Sequence, residues 1–187
     1  MKIGKTLCVT DRSSWRAWLK KNHKKKSEIW LIYYKLISGK KRIPYNDSVE
    51  EALCYGWIDS IIKSVDKEKF AQRFSPRRPG SQLSETNRER VRRLIKSRKM
   101  TVAGMAAIKH AYRHADKPER VTLASDVLKA LKENKSAWVN FQRFPEPYKR
   151  IRIGWIEMSR SRPKFFKQRL AYFVKMSARN KKYGMVQ

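Results

Sequence analysis

Two apolar runs separated by a short polar link lie between Trp57 and Phe74. The first run, residues 57–65, is rich in β-branched side chains, and the second, residues 70–74, resumes after the link. Two such runs predict an antiparallel β-hairpin. The basic segment that follows, residues 75–81, contains two prolines and a glycine and cannot continue a strand, because proline lacks the backbone donor of a ladder. The hairpin therefore requires a β-sheet in this part of the chain, with a loop directly after it.

The segment before the hairpin predicts the rest of that sheet and its first helices. Residues 27–36 carry apolar side chains on both faces, which is typical of a central strand. Glycine favours the left-handed backbone that ends helices, so Gly56 marks a helix end. The expected elements are a lead-in strand within residues 1–10, a helix capped by Thr10 or Asp11 that runs to about Asn22, a short partner strand over residues 41–45, and a helix over residues 46–55.

The chain after the loop predicts helices alone. The last of these should turn Phe165, Phe166, Leu170, Phe173 and Val174 inward and its basic residues outward. The expected helices cover residues 88–98 with a cap at Ser84 or Thr86, residues 102–114, residues 125–133, residues 136–144, residues 146–160 and residues 163–179.

This order of elements predicts an α+β fold, in which a small antiparallel sheet is packed by helices and an all-helical C-terminal part follows. The helix-breaking residues 116–118 mark the candidate boundary. We expect an α+β domain over residues 1–115, which carries the hairpin and the basic loop, and a helical module over residues 119–187.

The charge of the chain is strongly one-sided. Its 187 residues include 46 Lys and Arg against 16 Asp and Glu, for a formal net charge of +30. A field of this sign attracts polyanions, so nucleic acid or another phosphate-bearing partner is a natural hypothesis. The excess is spread along the chain, and an adaptation of the source's proteins as a whole would also explain it.

Several classes of protein are not indicated by the sequence. Cys8 and Cys54 match no zinc or redox spacing, and Cys54 lies on an apolar helix face, as a core residue would. No leader-like pattern opens the sequence, and no apolar run has the roughly 20 residues that a membrane span requires. We therefore expect a cytoplasmic protein without a membrane span.

The basic loop is the best candidate for a binding site. Arginine side chains match phosphate and carboxylate geometry, while hydroxyl groups and helix N-terminal amides add neutral donors. In the structural alternative, the arginines anchor the loop to carbonyl groups and to Asp59, and the polar residues only cap the next helix. The candidate anion-binding residues are Arg73, Arg77, Arg78, Ser81, Ser84 and Asn87.

A pocket is also expected beside Asp59, which is set within an apolar strand. Its carboxylate could act as a general base or could orient an arginine, and the structural alternative pairs it with Arg73 or Arg77. The expected pocket residues are Tyr33, Lys35, Trp57 and Asp59.

Metal and cofactor sites are not indicated. His110 and His114 are spaced to share a helix face, but no third ligand lies near them in sequence. Glycine-rich phosphate loops and serine-nucleophile motifs are absent from the sequence, so we expect no cofactor.

The sequence resembles the YdeI/OmpD-associated family, whose members are also called bacteriocin-protection proteins. The matching blocks are Trp30-Leu31-Ile32-Tyr33-Tyr34-Lys35, Glu51-Ala52-Leu53-Cys54-Tyr55-Gly56-Trp57-Ile58-Asp59, Gln72-Arg73-Phe74-Ser75-Pro76-Arg77-Arg78, Met100-Thr101-Val102-Ala103-Gly104 and Tyr148-Lys149-Arg150. Leu83 departs from the family, which usually has tryptophan there. The resemblance implies a cytoplasmic α+β protein with a helical C-terminal module, and it transfers no catalytic residue.

The leading functional hypothesis is a non-enzymatic protein, of a stress- or envelope-response family, that binds an anionic partner through the basic loop and the helix after it. The alternative is an enzyme that acts on a phosphorylated or nucleotide small molecule, with Asp59 as base and Arg77 and Arg78 as an anion clamp. The sequence leaves the oligomeric state open.

Overall fold

The structure is a computed structural model that describes residues 2–112 and 120–184. Its chain divides into two compact units, one formed by Met1–Gln82 with Arg90–Arg113 and the other by Leu83–Glu89 with His114–Gln187. The predicted boundary at residues 116–118 lies outside the described residues, so the predicted division into domains stays a prediction.

The described elements alternate between strands and helices at first and are then helical only. In chain order they are β1 (Thr6–Cys8), α1 (Arg12–Asn22), β2 (Ile29–Tyr34), a 3-10 turn (Leu36–Ser38), α2 (Tyr45–Cys54), β3 (Trp57–Ser64), β4 (Lys69–Pro76), α3 (Glu85–Lys96), α4 (Val102–Ile108), α5 (Ser125–Lys132), α6 (Lys135–Arg143), α7 (Glu146–Glu157) and α8 (Pro163–Ala178). The predicted α+β class is therefore confirmed. None of the helices in the described part of the chain is both long and apolar enough to cross a membrane.

The four strands form one sheet in the order β1-β2-β4-β3. The predicted hairpin is present as β3 and β4, which pair antiparallel, and β4 also pairs antiparallel with β2. The sheet differs from the expected antiparallel one at its edge, because β1 runs parallel to β2. A parallel neighbour requires a crossover, and α1 provides it.

The strand β2 is central, as the sequence predicts. It lies between β1 and β4, and Trp30, Leu31 and Tyr33 are each at most 1% exposed although successive side chains point to opposite faces. One helical layer covers the face that carries Phe74, where the rings of Trp15 on α1 and Phe74 meet edge to face with centroids 5.5 Å apart.

One predicted strand is not formed. The sequence pattern predicts a short strand over residues 41–45, but residues 41–44 are irregular and α2 already begins at Tyr45, after Pro44 as its N-cap. Proline cannot donate to a ladder, whereas it is favourable at a helix start.

Close backbone approaches hold α2 and α4 together at the end of α2. Gly56 adopts the predicted left-handed conformation with φ +75°. A Cβ atom at Gly104 would lie 2.2 Å from the carbonyl oxygen of Cys54, so only glycine fits there. Thr101 Oγ1 donates to the same oxygen at 2.6 Å. Burial raises the pKa of the Cys54 thiol to about 11, as suits a core residue.

An ion-pair network joins α1 to α2. Arg12 of α1 contacts three carboxylates of α2, with Nε 2.5 Å from Glu51 Oε1, Nη2 2.9 Å from Glu50 Oε2 and Nη1 3.2 Å from Asp47 Oδ1. Arg16, one turn further, places Nη1 2.5 Å from Glu51 Oε2. Glu51 is 1% exposed, and the two guanidinium groups balance its buried charge.

The helix α4 is shorter than predicted. It ends at Ile108, and Thr101 caps it by accepting a hydrogen bond from Gly104 N. The predicted helix reached His114, which lies outside the described residues. The expectation that His110 and His114 share a helix face therefore stays a prediction.

The second unit has its own apolar core. The helices α5 to α8 enclose a cluster that includes Leu131, Phe141, Ile156 and Phe173, and the four C-terminal helices lie where the sequence places them. The prediction that Phe165 points inward is wrong, since its side chain is 50% exposed. The buried positions of α8 follow a stripe through Phe173, and Phe165 lies in the first turn, off that stripe.

Candidate anion-binding site

The loop that follows β4 comprises residues 77–82 and is called here the Arg77–Gln82 loop. Its first amide, Arg77 N, donates to Gly56 O at 2.9 Å, which fixes the loop where the hairpin begins. Ser81 N donates to Arg78 O at 3.1 Å, and Gly80 has φ +76°. With proline at the position before the glycine, these features form a type II turn, which explains the Pro79-Gly80 pair.

Arg77 is buried within this loop. Its side chain is 7% exposed, and Nη2 donates to Gln82 O at 2.8 Å. Nε and Nη1 are buried and have no hydrogen-bond partner among the described residues. Burial lowers the pKa of the guanidinium, and the negative charge of Asp59 opposes that shift. Each unpaired buried donor costs about 1–3 kcal/mol, so an acceptor for these two atoms would stabilise the loop.

Asp59 lies in a partly buried polar cluster rather than in an ion pair. Tyr45 Oη donates to Asp59 Oδ2 at 2.7 Å, and Gln72 Nε2 donates to the same oxygen at 2.9 Å. Asp59 pairs with Phe74 in the β3–β4 ladder, so its side chain shares the face of the sheet that carries Phe74 and Gln72. The arginine partners expected from the sequence, Arg73 and Arg77, form no hydrogen bond with it among the described residues.

Hydroxyl groups extend the cluster toward the centre of the sheet. Ser48 Oγ donates its hydrogen to Tyr45 O at 2.7 Å, so Tyr33 Oη is the donor in its 2.5 Å contact with Ser48 Oγ. Burial raises the pKa of the Tyr45 hydroxyl, and the hydrogen bond to Asp59 adds to that shift. Both phenols therefore stay protonated and act as donors.

A second buried arginine belongs to the same region of the first unit. Arg90 of α3 is 6% exposed, and its Nη2 donates to Asn46 Oδ1 at 2.8 Å. Burial lowers the pKa of Arg90, while the negative charges of Glu50 and Asp59 oppose that shift. Asp59 thus acts electrostatically on both Arg77 and Arg90.

Ser81 contributes a further unpaired donor to the loop. Its Oγ is buried and has no hydrogen-bond partner among the described residues, while its carbonyl oxygen lies 2.9 Å from His110 Nε2. Since a carbonyl oxygen only accepts, Nε2 carries the hydrogen in this contact. The loop therefore combines a buried guanidinium with a buried hydroxyl, and both carry donors without an acceptor among the described residues.

The structure does not bring all predicted site residues to this place. Arg73 Nε lies 2.6 Å from Glu28 Oε2, and Arg73 points to the face of β4 opposite to Gln72. Arg78 is exposed, and no contact of its side chain is described. Lys35 is bound at the hairpin turn, where Nζ donates to Asp66 O at 3.0 Å.

The other predicted residues have structural partners. Trp57 is buried, and its Nε1 donates to His23 O at 3.2 Å. Ser84 and Asn87 belong to the second unit, where Ser84 Oγ accepts from Asn87 N at 3.3 Å and caps α3, as the sequence predicts.

Sequence reasoning missed four residues of this region: Tyr45, Ser48, Gln72 and Arg90. Gln72 gave a usable signal, because it is a polar residue at an inward position of β4 between Phe70 and Phe74. Tyr45 and Arg90 come from other elements, and their sequence neighbours do not mark them. Among the residues that the structure describes, no three His, Cys, Asp or Glu side chains are grouped so that they could hold a metal ion.

Comparison with family models assigns the two parts of the chain separately. A model described as a domain of unknown function (DUF8412) matches residues 7–107, more than half of the 187 residues. The chain belongs to the DUF8412 family. The DUF8412 region contains the Arg77–Gln82 loop and the whole polar cluster around Asp59.

A second model covers the C-terminal helices. It is described as bacteriocin-protection, YdeI or OmpD-associated and matches residues 120–180, which confirms the predicted resemblance to that family and includes α5 to α8. No curated protein and no solved structure matches the chain.

Proposed function

We propose that this chain is a non-enzymatic, cytoplasmic binding protein that takes a phosphate-bearing ligand at the Arg77–Gln82 loop. One observation carries the proposal: the guanidinium of Arg77 is buried while Nε and Nη1 have no hydrogen-bond partner among the described residues. An anionic oxygen would balance the buried charge and accept from these donors in charge-assisted hydrogen bonds. Ser81 Oγ, in the same loop, would supply a neutral donor.

Nucleic acid is the polymeric form of this ligand. The formal net charge of +30 favours it, because each neutralised phosphate releases a counterion. Arg78 is exposed at the tip of the loop and is placed to meet a phosphate in solution.

The helix after the loop contributes less than the sequence suggests. Arg88 Nε lies 3.3 Å from Glu85 Oε1, Arg93 Nη2 lies 3.0 Å from Glu50 Oε1, and Arg90 is bound to Asn46. Arginines that already have partners within the chain are poor phosphate contacts, since those partners would have to be lost. The proposal therefore rests on the loop.

The enzymatic alternative requires Asp59 to act as a base. Its Oδ2 already accepts hydrogen bonds from Tyr45 and Gln72, which suits a carboxylate that orders the cluster. We therefore favour binding without catalysis. The experiment below also tests whether the nucleoside triphosphate is converted to a product.

The experiment measures fluorescence anisotropy of labelled single-stranded RNA against the protein at ~50 and ~200 mM salt, with inorganic phosphate and a nucleoside triphosphate as competitors. If several phosphates are neutralised, affinity falls by on the order of 10³-fold across that range. We expect Arg78→Ala and Ser81→Ala each to weaken binding by about tenfold, since each removes a direct contact.

The matched control is Lys24→Ala, which removes one exposed positive charge outside the loop and should change affinity by less than about twofold. Equal losses in Lys24→Ala and Arg78→Ala would show a diffuse basic surface and contradict the loop. Absence of binding to every probe at low salt would exclude the proposed function, and conversion of the triphosphate would support the enzyme.

A further inference from the structure

An open groove of about 610 Å³ lies in the second unit, away from every residue of the proposed phosphate site in sequence. One wall is a face of α8, and the other is the junction of α5 and α6. The lining residues are Ala130, Glu133, Asn134, Lys167, Leu170, Ala171, Val174, Lys175, Ala178 and Arg179.

The floor of the groove is apolar and only half covered. Leu170, Val174 and Ala178 pack against the core of the unit but stay partly exposed. The small side chains of Ala130 and Ala171 leave space above this surface. At 1.5 Å per residue, the lining of α8 from position 167 to position 179 extends for roughly 18 Å. This length matches about three turns of a second helix.

The rim of the groove is positive. Lys167, Lys175 and Arg179 are exposed, and none forms a hydrogen bond or ion pair with any part of the chain that the structure describes. The one carboxylate of the lining, Glu133, lies 3.9 Å from Lys129 Nζ. Residues 158–187, which include most of the lining, contain no acidic residue.

We propose that this groove binds an acidic amphipathic helix of a partner protein. The apolar stripe of such a helix, with side chains at i, i+3, i+4 and i+7, covers the floor, and glutamate or aspartate residues on its flanks meet the three rim cations. The alanines allow the two helix backbones to approach closely. This site shares no residue with the Arg77–Gln82 loop, so it does not depend on the proposed phosphate binding.

The shape of the groove favours a helix over a small molecule. A small ligand is usually enclosed over most of its surface, whereas this groove is open along its length. A helix needs to bury only one stripe. A second copy of the chain is unsuitable, because its net charge of +30 would repel the basic rim.

The test uses a labelled synthetic peptide of about 15 residues, with leucine and alanine at i, i+3, i+4 and i+7 and glutamate on both flanks. A scrambled peptide of the same composition and a version with lysine for glutamate are the comparison probes. Fluorescence anisotropy of each peptide is measured against the full chain. We expect the patterned acidic peptide alone to bind.

Two variants locate the binding. Ala171→Phe fills the floor at an exposed position and should reduce affinity by more than about tenfold, because it takes the space of the helix. Lys175→Glu reverses a rim charge and should weaken binding by about tenfold. The matched control, Lys164→Glu, makes the same charge change on α8 outside the lining and should change affinity by less than about twofold.

Other results would overturn the proposal. Equal binding of the patterned and scrambled peptides, or equal losses in Lys175→Glu and Lys164→Glu, would mean diffuse attraction to a basic surface. Binding of the chain to vesicles that contain phosphatidylserine is measured as well. If they bind in a manner that depends on Ala171 and Lys175 while the peptide does not bind, the occupant is a lipid surface. Sedimentation of the unmodified chain alone checks for self-association, which Ala171→Phe would abolish if a second copy filled the groove.

Discussion

Arg12 and Arg152 belong to different units and are stabilised by different interactions. Arg12 contacts three carboxylates of α2, at 2.5, 2.9 and 3.2 Å. Arg152 is 8% exposed, forms no ion pair with a carboxylate in the described residues, and lies over the rings of Tyr148, Trp155 and Tyr183 at 5.8, 5.7 and 4.9 Å. With 16 acidic residues for 46 basic ones, carboxylates cannot pair with every cation. Arg12 is therefore balanced by carboxylates, whereas Arg152 is held by aromatic rings alone among the described contacts that an ion pair or a ring makes with it.

Substitution of Arg12 should have the largest effect. Arg12→Ala leaves the buried Glu51 with Arg16 as its remaining ion-pair partner, so we expect the free energy of unfolding to fall by about 3–4 kcal/mol. Chemical denaturation at ~0.1 and ~1 M salt measures it, and the loss should be smaller at high salt, where charge interactions are screened.

The control for Arg12→Ala is Lys40→Ala, which removes the exposed Lys40–Glu68 pair. It should leave the free energy of unfolding nearly unchanged. Similar losses in the two variants would show that burial of Glu51 does not make the network different from a surface pair.

Substitution of Arg152 should have a smaller effect that salt does not change. Arg152→Ala removes the cation from three rings and leaves a gap between them, so we expect a loss of about 2–3 kcal/mol. Because dispersion and ring contacts within a buried site are little screened, the loss should be the same at ~0.1 and ~1 M salt.

An exposed arginine over a single ring provides the control for Arg152. Arg162 lies 5.2 Å from the centroid of the half-exposed Phe165, and Arg162→Ala should have a much smaller effect. If the loss in Arg152→Ala falls with salt as that of Arg12→Ala does, the contrast between the two arginines is wrong.

The smallest effect concerns pH and is confined to the first unit. Hydrogen bonds from Ser13 Oγ, Ser14 N and Ser14 Oγ lower the pKa of Asp11, the N-cap of α1, from 3.8 to about 2. Since the pKa is lower in the folded state, this carboxylate adds stability above about pH 4, and the gain is lost as the pH falls toward 2. NMR titration of Asp11 should give a midpoint of about 2.

Asp11→Asn is the matched variant, because it keeps a capping side chain but does not titrate. The stability difference between this variant and the unmodified chain should shrink as the pH falls from about 4 toward 2. A midpoint near 4 in the unmodified chain would mean that the cap gives the charged form no advantage.

The elements that could be predicted from the sequence are those with local signals. Asp11 and Ser84 cap helices as expected, and α8 begins at Pro163, as predicted. The wrong expectations have local causes as well. Pro44 starts a helix instead of an edge strand, and Phe165 lies in the first turn of α8, where a stripe of apolar residues alone does not decide which side chain faces the core.

The site was predictable only where it is contiguous in sequence. The turn at Pro79-Gly80 follows from its residues, and so does the presence of arginine there. The partners of Asp59 do not follow, because Tyr45 comes from α2 and Gln72 comes from the neighbouring strand, where it lies two residues from Phe74, the residue that pairs with Asp59. Contacts between residues that are distant in sequence produce no periodic pattern, so a single sequence does not predict them.

The two edges of the sheet offer little to an incoming strand. β1 is only three residues long, and the ladder of β3 is interrupted between Asp59 and Ile62. A strand of another chain can extend a sheet only along a regular row of unpaired backbone N–H and C=O groups, and a short or bulged edge strand lacks such a row. Although Ile61 and Ile62 are exposed on this hairpin, the chain is therefore protected from the edge-to-edge association that leads to amyloid-like aggregates.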